Sequence, residues 1–157
     1  HPICSELAGL IYDAGKALGL KMHKGGTYLN MEGPEFSTLA ESNLYRSWGM
    51  DIIGMTNMAE AKLAREAEIC YATLAAVTDY DCWHPQHESV TVEMVINNLV
   101  KNTENAKKII SGVIWHMNPQ RSCACKDALK NAIVTDRKMI PAKIKKDLDI
   151  IIGKYIR

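Results

Sequence analysis

Two carboxylates stand one residue apart in the stretch Thr78-Asp79-Tyr80-Asp81-Cys82-Trp83, directly after an apolar run over residues 69–77. Like charges this close repel, and burial would raise the pKa of at least one of them. A carboxylic acid so raised can hand a proton to a leaving group, while a carboxylate can accept N–H bonds. Two acids could also begin a metal site, but Mg²⁺ or Ca²⁺ needs several oxygen ligands and no others cluster nearby in the sequence. The plainer alternative is a capped loop, since Asp is common in turns. At the level of residue chemistry both readings stand.

The elements that must position these acids can be read from the pattern. The uncharged run at 69–77, partly β-branched and aromatic, reads as a buried strand. Its carboxyl end is where open α/β sheets bind ligands. In extended chain an Asp-x-Asp pair shares one side. Leu7, Leu10, Ile11, Ala14 and Leu18 predict a helix over 5–18, with Ser5 as cap and Gly19 as stop. Residues 27–31 alternate as a strand after the Gly25-Gly26 breaker. A helix follows over 38–49, with Thr38 and Glu41 spaced for a capping box. A short strand over 50–56 ends in Met55 and Thr56, and a helix over 58–68 leads into the acid-bearing run. The order β-α-β-α-β behind a leading helix implies an α/β layer with parallel neighbours. A long helix over 90–111 and one or two helices over 127–157, broken at Pro141, complete the chain.

Three further groups could take part. Glu32-Gly33-Pro34-Glu35-Phe36-Ser37-Thr38 is a turn-rich loop holding the only Phe in the chain. Phe36 either anchors the core or presents an aromatic face in a cleft, and its polar neighbours favour the cleft. Met55 and Thr56 offer a soft apolar edge and a hydroxyl, or are ordinary core and strand residues. Val90, Val92 and Val95 read as core packing.

The totals narrow the class. A chain of 157 residues can form one domain with a core. A net charge of +1, with 24% charged residues, gives no footprint for nucleic acid or an acidic membrane surface. No apolar run nears the ~20 residues of a membrane span, so a cytoplasmic protein is expected. His1 rather than Met stands first, which predicts a fragment, a processed product or one piece of a nicked polypeptide. The five cysteines lack paired C-x-x-C spacing, so no metal site is expected.

Three strings carry a resemblance: Met31-Glu32-Gly33-Pro34-Glu35-Phe36-Ser37-Thr38, Asp51-Ile52-Ile53-Gly54-Met55-Thr56 and Ala76-Val77-Thr78-Asp79-Tyr80-Asp81-Cys82-Trp83. In order and spacing they resemble the carboxyl-terminal half of the methylthioadenosine-cleaving branch of the trimeric purine nucleoside phosphorylase family. The likeness runs from about Cys4 to about Ile110. It implies a three-layer α/β/α fold with a mixed twisted sheet, of which residues 1–157 are the carboxyl-terminal part of a single domain. It implies a pentosyltransferase that cleaves 5′-methylthioadenosine to adenine and 5-methylthioribose 1-phosphate in purine and methionine salvage. The co-substrate would be inorganic phosphate, with no cofactor. Alternatives are a relative of broader range, taking adenosine, inosine or guanosine, and a non-catalytic ligand-binding fragment.

Residue by residue, the resemblance gives Asp79 the purine N7 and Asp81 the 6-amino group. Ser37 would assist at the base edge, Phe36 would lie against purine and ribose, and Met55 would pack on the ribose. Thr56 would bind phosphate, and Val90, Val92 and Val95 would line the pocket of the 5′-alkylthio group. The 6-oxopurine relatives resemble this pattern but carry Glu and Asn where this chain has Ser37 and Asp79. A pair of acids suits a 6-amino donor. The implied partners are the amino-terminal part of the same enzyme as a separate chain and further copies in a trimer or hexamer. The family's glycine-containing phosphate loop and its Arg-His pair would lie on that amino-terminal part. Cys123 and Cys125 resemble a C-x-C ending that can be oxidised to a disulfide in some thermophilic members. Glu35 and Glu68 depart from the family pattern, Glu68 standing where Gly is expected, and both read as surface changes.

Overall fold

The structure, a computed structural model, describes residues 1–85 and 91–156. Helix α1 (Ser5–Ala17) follows the predicted apolar spacing, although Cys4 rather than Ser5 occupies its cap position. Strand β1 (Tyr28–Asn30) and strand β2 (Ile52–Gly54) pair in parallel, with Tyr28 opposite Ile52 and Asn30 opposite Gly54. Between them runs α2 (Leu39–Ser47). Its predicted capping box is present: the Thr38 hydroxyl accepts from the Glu41 N–H and the Glu41 carboxylate accepts from the Thr38 N–H at 2.8 Å. Those bonds to Thr38 hold the Glu41 carboxyl below its usual range. Helix α3 (Asn57–Glu66) follows β2, so the β-α-β-α alternation of the sequence is realised.

The buried strand expected at 69–77 is not formed. The segment is extended, but it joins no ladder, and Ile69 and Val77 are more than half exposed. At its carboxyl end side chains take the carbonyls instead. Asn98 and Asn102, one turn apart on the next helix, donate to the carbonyls of Thr78 and Val77 at 2.8 and 2.9 Å. A carbonyl held by an amide side chain is not offered to a neighbouring strand.

Helix α4 (Val92–His116) is the longest element and packs against α1. Ile109 and Val113 are its buried positions, and Leu7 and Ile11 line the same groove from α1. The helices approach closely at Gly112, where a Cβ would stand 3.4 Å from that of Ala14. The predicted stripe continues toward the amino end of α4, but Ile96, Leu99 and Val100 there are more than half exposed. Among the described residues the buried apolar side chains are Cys4, Ala61, Ile109, Val113 and Ile156. The amphipathic faces are built, but much of their apolar area is left uncovered by this chain.

The carboxyl-terminal part differs from expectation. Both helices, α5 (Ala142–Asp147) and α6 (Asp149–Ile156), lie after Pro141, which stands at the cap position of α5. Residues 124–127 and 137–139 form single 3₁₀ turns. Proline is tolerated at a helix start because the missing N–H would be unpaired there anyway.

Glu68 is not a surface change. It is 8% exposed, and its backbone has a left-handed φ of 55°, the conformation that favours the glycine expected there. Its carboxylate accepts from the Leu129 N–H at 3.0 Å and the Tyr155 hydroxyl at 2.5 Å, and pairs with Lys154 at 2.5 Å. Its carbonyl accepts from Arg121 at 2.7 Å. Glu68 thus ties the end of α3 to Arg121, Leu129, Lys154 and Tyr155 of the carboxyl-terminal segment.

Candidate active site

Three loops meet beyond the carboxyl ends of β1, β2 and the extended 69–77 segment. They are residues 31–38, 55–56 and 78–83, the segments singled out in the sequence. The join begins at Asn30, the last residue of β1. Its amide donates to the Met55 carbonyl at 2.6 Å and its side-chain oxygen accepts from the Met58 N–H at 3.0 Å. The Met31 N–H donates to the Gly54 carbonyl at 2.8 Å. Gly33 lets the loop pass Met55: it has φ 72°, and a Cβ there would lie 3.0 Å from the Met55 sulfur. The loop then presents Phe36, 83% exposed, and Ser37, which is half-buried.

The acid-bearing loop is tied to both neighbours. The Cys82 thiol donates to the Ser37 carbonyl at 3.5 Å, and the Ser37 hydroxyl lies 3.7 Å from the Met31 sulfur. Asp81 faces inward: one carboxylate oxygen accepts from the Ser42 hydroxyl at 2.5 Å and the other from the Cys82 N–H at 2.9 Å. Ser42, on α2, is 1% exposed. Asp79 is held differently. It is exposed, and one of its oxygens accepts from the Thr78 hydroxyl at 2.5 Å. The two acids therefore divide into a fixed, half-buried carboxylate and one that faces solvent. Beyond them Tyr80 stacks on His84 at 4.0 Å, and the Arg46 guanidinium lies 3.6 Å over the Trp83 ring.

Thr56 occupies the cap position of α3, yet its hydroxyl does not cap the helix. It stands exposed beside the positive end of a ten-residue helix. Asn57, the first helical residue, accepts from Tyr71 at 2.9 Å and from Thr73 at 2.5 Å, pinning the extended segment to α3. Burial pushes the Tyr71 hydroxyl up, and its bond to Glu60 adds to this. Val92 opens α4 at 77% exposure and Val95 is half-buried, so neither is the core residue its spacing suggested. Val90 lies outside the described residues.

These joined loops carry an exposed aromatic ring, one fixed and one solvent-facing carboxylate and, at the start of α3, an exposed hydroxyl. The chain matches the Phosphorylase superfamily model over residues 1–114. The chain belongs to that superfamily. Among curated relatives, S-methyl-5′-thioadenosine phosphorylase of Koribacter versatilis is 54% identical over 154 residues, covering 98% of this chain and 53% of the relative. A methylthioadenosine phosphorylase from an antarctic soil metagenomic library superimposes with a TM-score of 0.87 at 44% identity, covering 96% of this chain and 54% of that one. Methylthioadenosine phosphorylase from Schistosoma mansoni, solved with adenine, gives 0.71 at 28% identity, covering 83% and 51%. The chain thus spans about half the length of these superfamily members. Its fold is the nucleoside phosphorylase α/β fold, represented here by a carboxyl-terminal part of it.

The positioning residues Asn30, Ser42, Asn57, Asn98 and Asn102 were not singled out from the sequence. Each acts on a segment far away along the chain. The one local hint was the one-turn spacing of Asn98 and Asn102 on one face of the long helix.

Proposed function

We propose that the protein to which this chain belongs catalyses phosphorolysis of 5′-methylthioadenosine, giving adenine and 5-methylthioribose 1-phosphate. The observation that carries this reading is more than 50% identity, over nearly the whole chain, to a curated enzyme of that name. The three loops described above all lie within that match.

The roles are those the family resemblance implies, and the joining of the three loops supports them. Asp79, exposed at the loop crest, serves purine N7, donating a proton as the bond to the sugar breaks. Asp81, fixed by Ser42 and the Cys82 N–H, keeps lone pairs free to accept from the 6-amino group. Ser37 assists at the base edge, Phe36 covers base and ribose, and Met55 packs on the ribose. Thr56, at the start of α3, contributes to phosphate binding. Val90, Val92 and Val95 line the 5′-alkylthio pocket, an apolar surface for an apolar substituent. Breaking the glycosidic bond leaves negative charge on the base and positive charge on the sugar. Proton donation to the base and a phosphate anion near the sugar carbon stabilise both. Inorganic phosphate is the co-substrate and the reaction needs no cofactor.

The other half of the fold, with its phosphate loop, completes the site, and the whole enzyme assembles as a trimer or hexamer in the cytoplasm. The large uncovered apolar faces of this chain support such partners. Among the described residues no helix is long and apolar enough to cross a membrane. The test is adenine release from 5′-methylthioadenosine by the full-length protein, followed by liquid chromatography. Release that requires phosphate is expected. Hydrolysis without phosphate, or no release, contradicts the proposal.

A further inference from the structure

Four of the five cysteines converge away from the candidate active site. Cys4 precedes α1, Cys70 lies in the extended segment after α3, and Cys123 and Cys125 stand at the 3₁₀ turn that follows α4. Their sulfur atoms all lie within 4.8 Å of one another. The Cys70 and Cys123 sulfurs are 3.3 Å apart, and all four side chains are free thiols. Cys4 is buried and the other three are half-buried.

The surrounding contacts hold the three segments in place. The Cys4 N–H donates to the Tyr71 carbonyl at 2.7 Å, and Arg121 donates to the Glu68 carbonyl at 2.7 Å. Both contacts lie next to the thiols, and together with the Cys70–Cys123 contact they hold the three segments around the quartet. A tetrahedral tetrathiolate zinc site has Zn–S distances of about 2.3 Å, which set sulfur–sulfur edges of about 3.8 Å. Four sulfurs within 4.8 Å of one another already stand close to that figure.

We propose that Cys4, Cys70, Cys123 and Cys125 form a structural Zn²⁺ site. Binding converts four thiols to thiolates, releases four protons and forms four Zn–S bonds, with no change of oxidation state. All four ligands come from the protein, so no coordination position is left for catalysis. Cationic Arg121 beside the quartet offsets part of the net negative charge of such a centre. The ion would fasten the segment after α4 to the start of α1 and to residues 69–71, which lead directly to Asp79 and Asp81.

The test uses the full-length protein, purified under reducing conditions and loaded with Zn²⁺ or Co²⁺ alone. About one Zn²⁺ per chain is expected, retained through dialysis against a chelator, with a tetrahedral tetrathiolate spectrum for the Co²⁺ form. Zinc should slow alkylation of the four cysteines but not of Cys82, which stands apart from them and serves as the internal control. Cys70→Ser and Cys125→Ser should each abolish retention. Should those variants fail to fold, the Co²⁺ spectrum and thiol mapping of the unaltered protein decide. Absence of bound metal with all four thiols freely alkylated would overturn the proposal, and so would disulfides within the quartet after reduction and anaerobic purification. Neither readout involves adenine release, so this site stands or falls independently of the proposed reaction.

Discussion

Glu68 carries two opposing effects that substitution can separate. Its left-handed backbone, φ 55°, costs a non-glycine residue about 1–2 kcal/mol. Its carboxylate, 8% exposed, offsets this by accepting from Leu129, Tyr155 and Lys154. In Glu68→Ala the strain remains and the Leu129 N–H loses its acceptor, a loss of about 1–3 kcal/mol. The Lys154 side chain is half in solvent, so its pairing is screened and adds little. A net loss of about 2 kcal/mol is therefore expected. Glu68→Gly loses the same bonds but releases the strain. After the ~0.5–1 kcal/mol entropic cost of glycine, it should stand about 0.5–1 kcal/mol above the Ala variant. Urea unfolding of the full-length protein, at constant m, measures all three. Equal stability of the Ala and Gly variants would refute the strain, and an unperturbed Glu68→Ala would refute the anchor. The pH dependence adds a second check. Burial pushes the Glu68 carboxyl up, but the bonds from Lys154, Tyr155 and the Leu129 N–H outweigh it and hold the carboxyl below its usual range. A depressed folded value means stability that is full above the unfolded value of ~4.3 and fades as pH falls through the folded one. The difference between wild type and Glu68→Gln should stay constant from neutral pH to about 5 and close below about 4.

Two further substitutions probe the site. Val92 is 77% exposed in this chain, so most of its side chain is free for a substrate to cover. Removing its two outer methyls at ~0.8 kcal/mol each should lower the kcat/KM preference for 5′-methylthio over 5′-hydroxy nucleosides by about 10-fold. An unchanged preference in steady-state kinetics would remove Val92 from the pocket. Ser42→Ala takes one bond from Asp81, and should reduce stability by about 1 kcal/mol while slowing adenine release several-fold. The 5′ preference should be untouched, and an Ala variant with wild-type kinetics would show that Ser42 does not position the acid.

What could be read from the sequence was local. The capping box of Thr38 and Glu41, the helical period of α1 and the alternation of strand and helix all depend on neighbours within a few residues. Each appears as expected. The misread strand at 69–77 shows the limit, because an apolar run has the same composition whether or not another strand pairs with it. Here Asn98 and Asn102 take the Thr78 and Val77 carbonyls, a decision made 20 and 25 residues downstream. Glu68 failed for a related reason. The positive φ found there accounts for the expected glycine, but the carboxylate's partners lie in a segment that only the fold brings back. The cysteine quartet is the strongest case. Its members come from three separate segments without the paired spacing of local zinc motifs, so the spacing itself argued against a site. The three loops that bear Phe36, Met55, Thr56, Asp79 and Asp81 were legible in the sequence, and they do meet. What was not legible was the division between the two acids, which depends on Ser42 across from Asp81.

The most direct measurement compares Asp79→Asn with the unaltered full-length enzyme, in phosphate, on 5′-methylthioadenosine and on its 6-oxo counterpart. Loss of proton donation should slow adenine release by about 10²–10⁴-fold, while the amide gains measurable activity on the 6-oxo nucleoside. Full activity of Asp79→Asn on the 6-amino substrate, with none gained on the 6-oxo one, would contradict the assignment of Asp79 to purine N7.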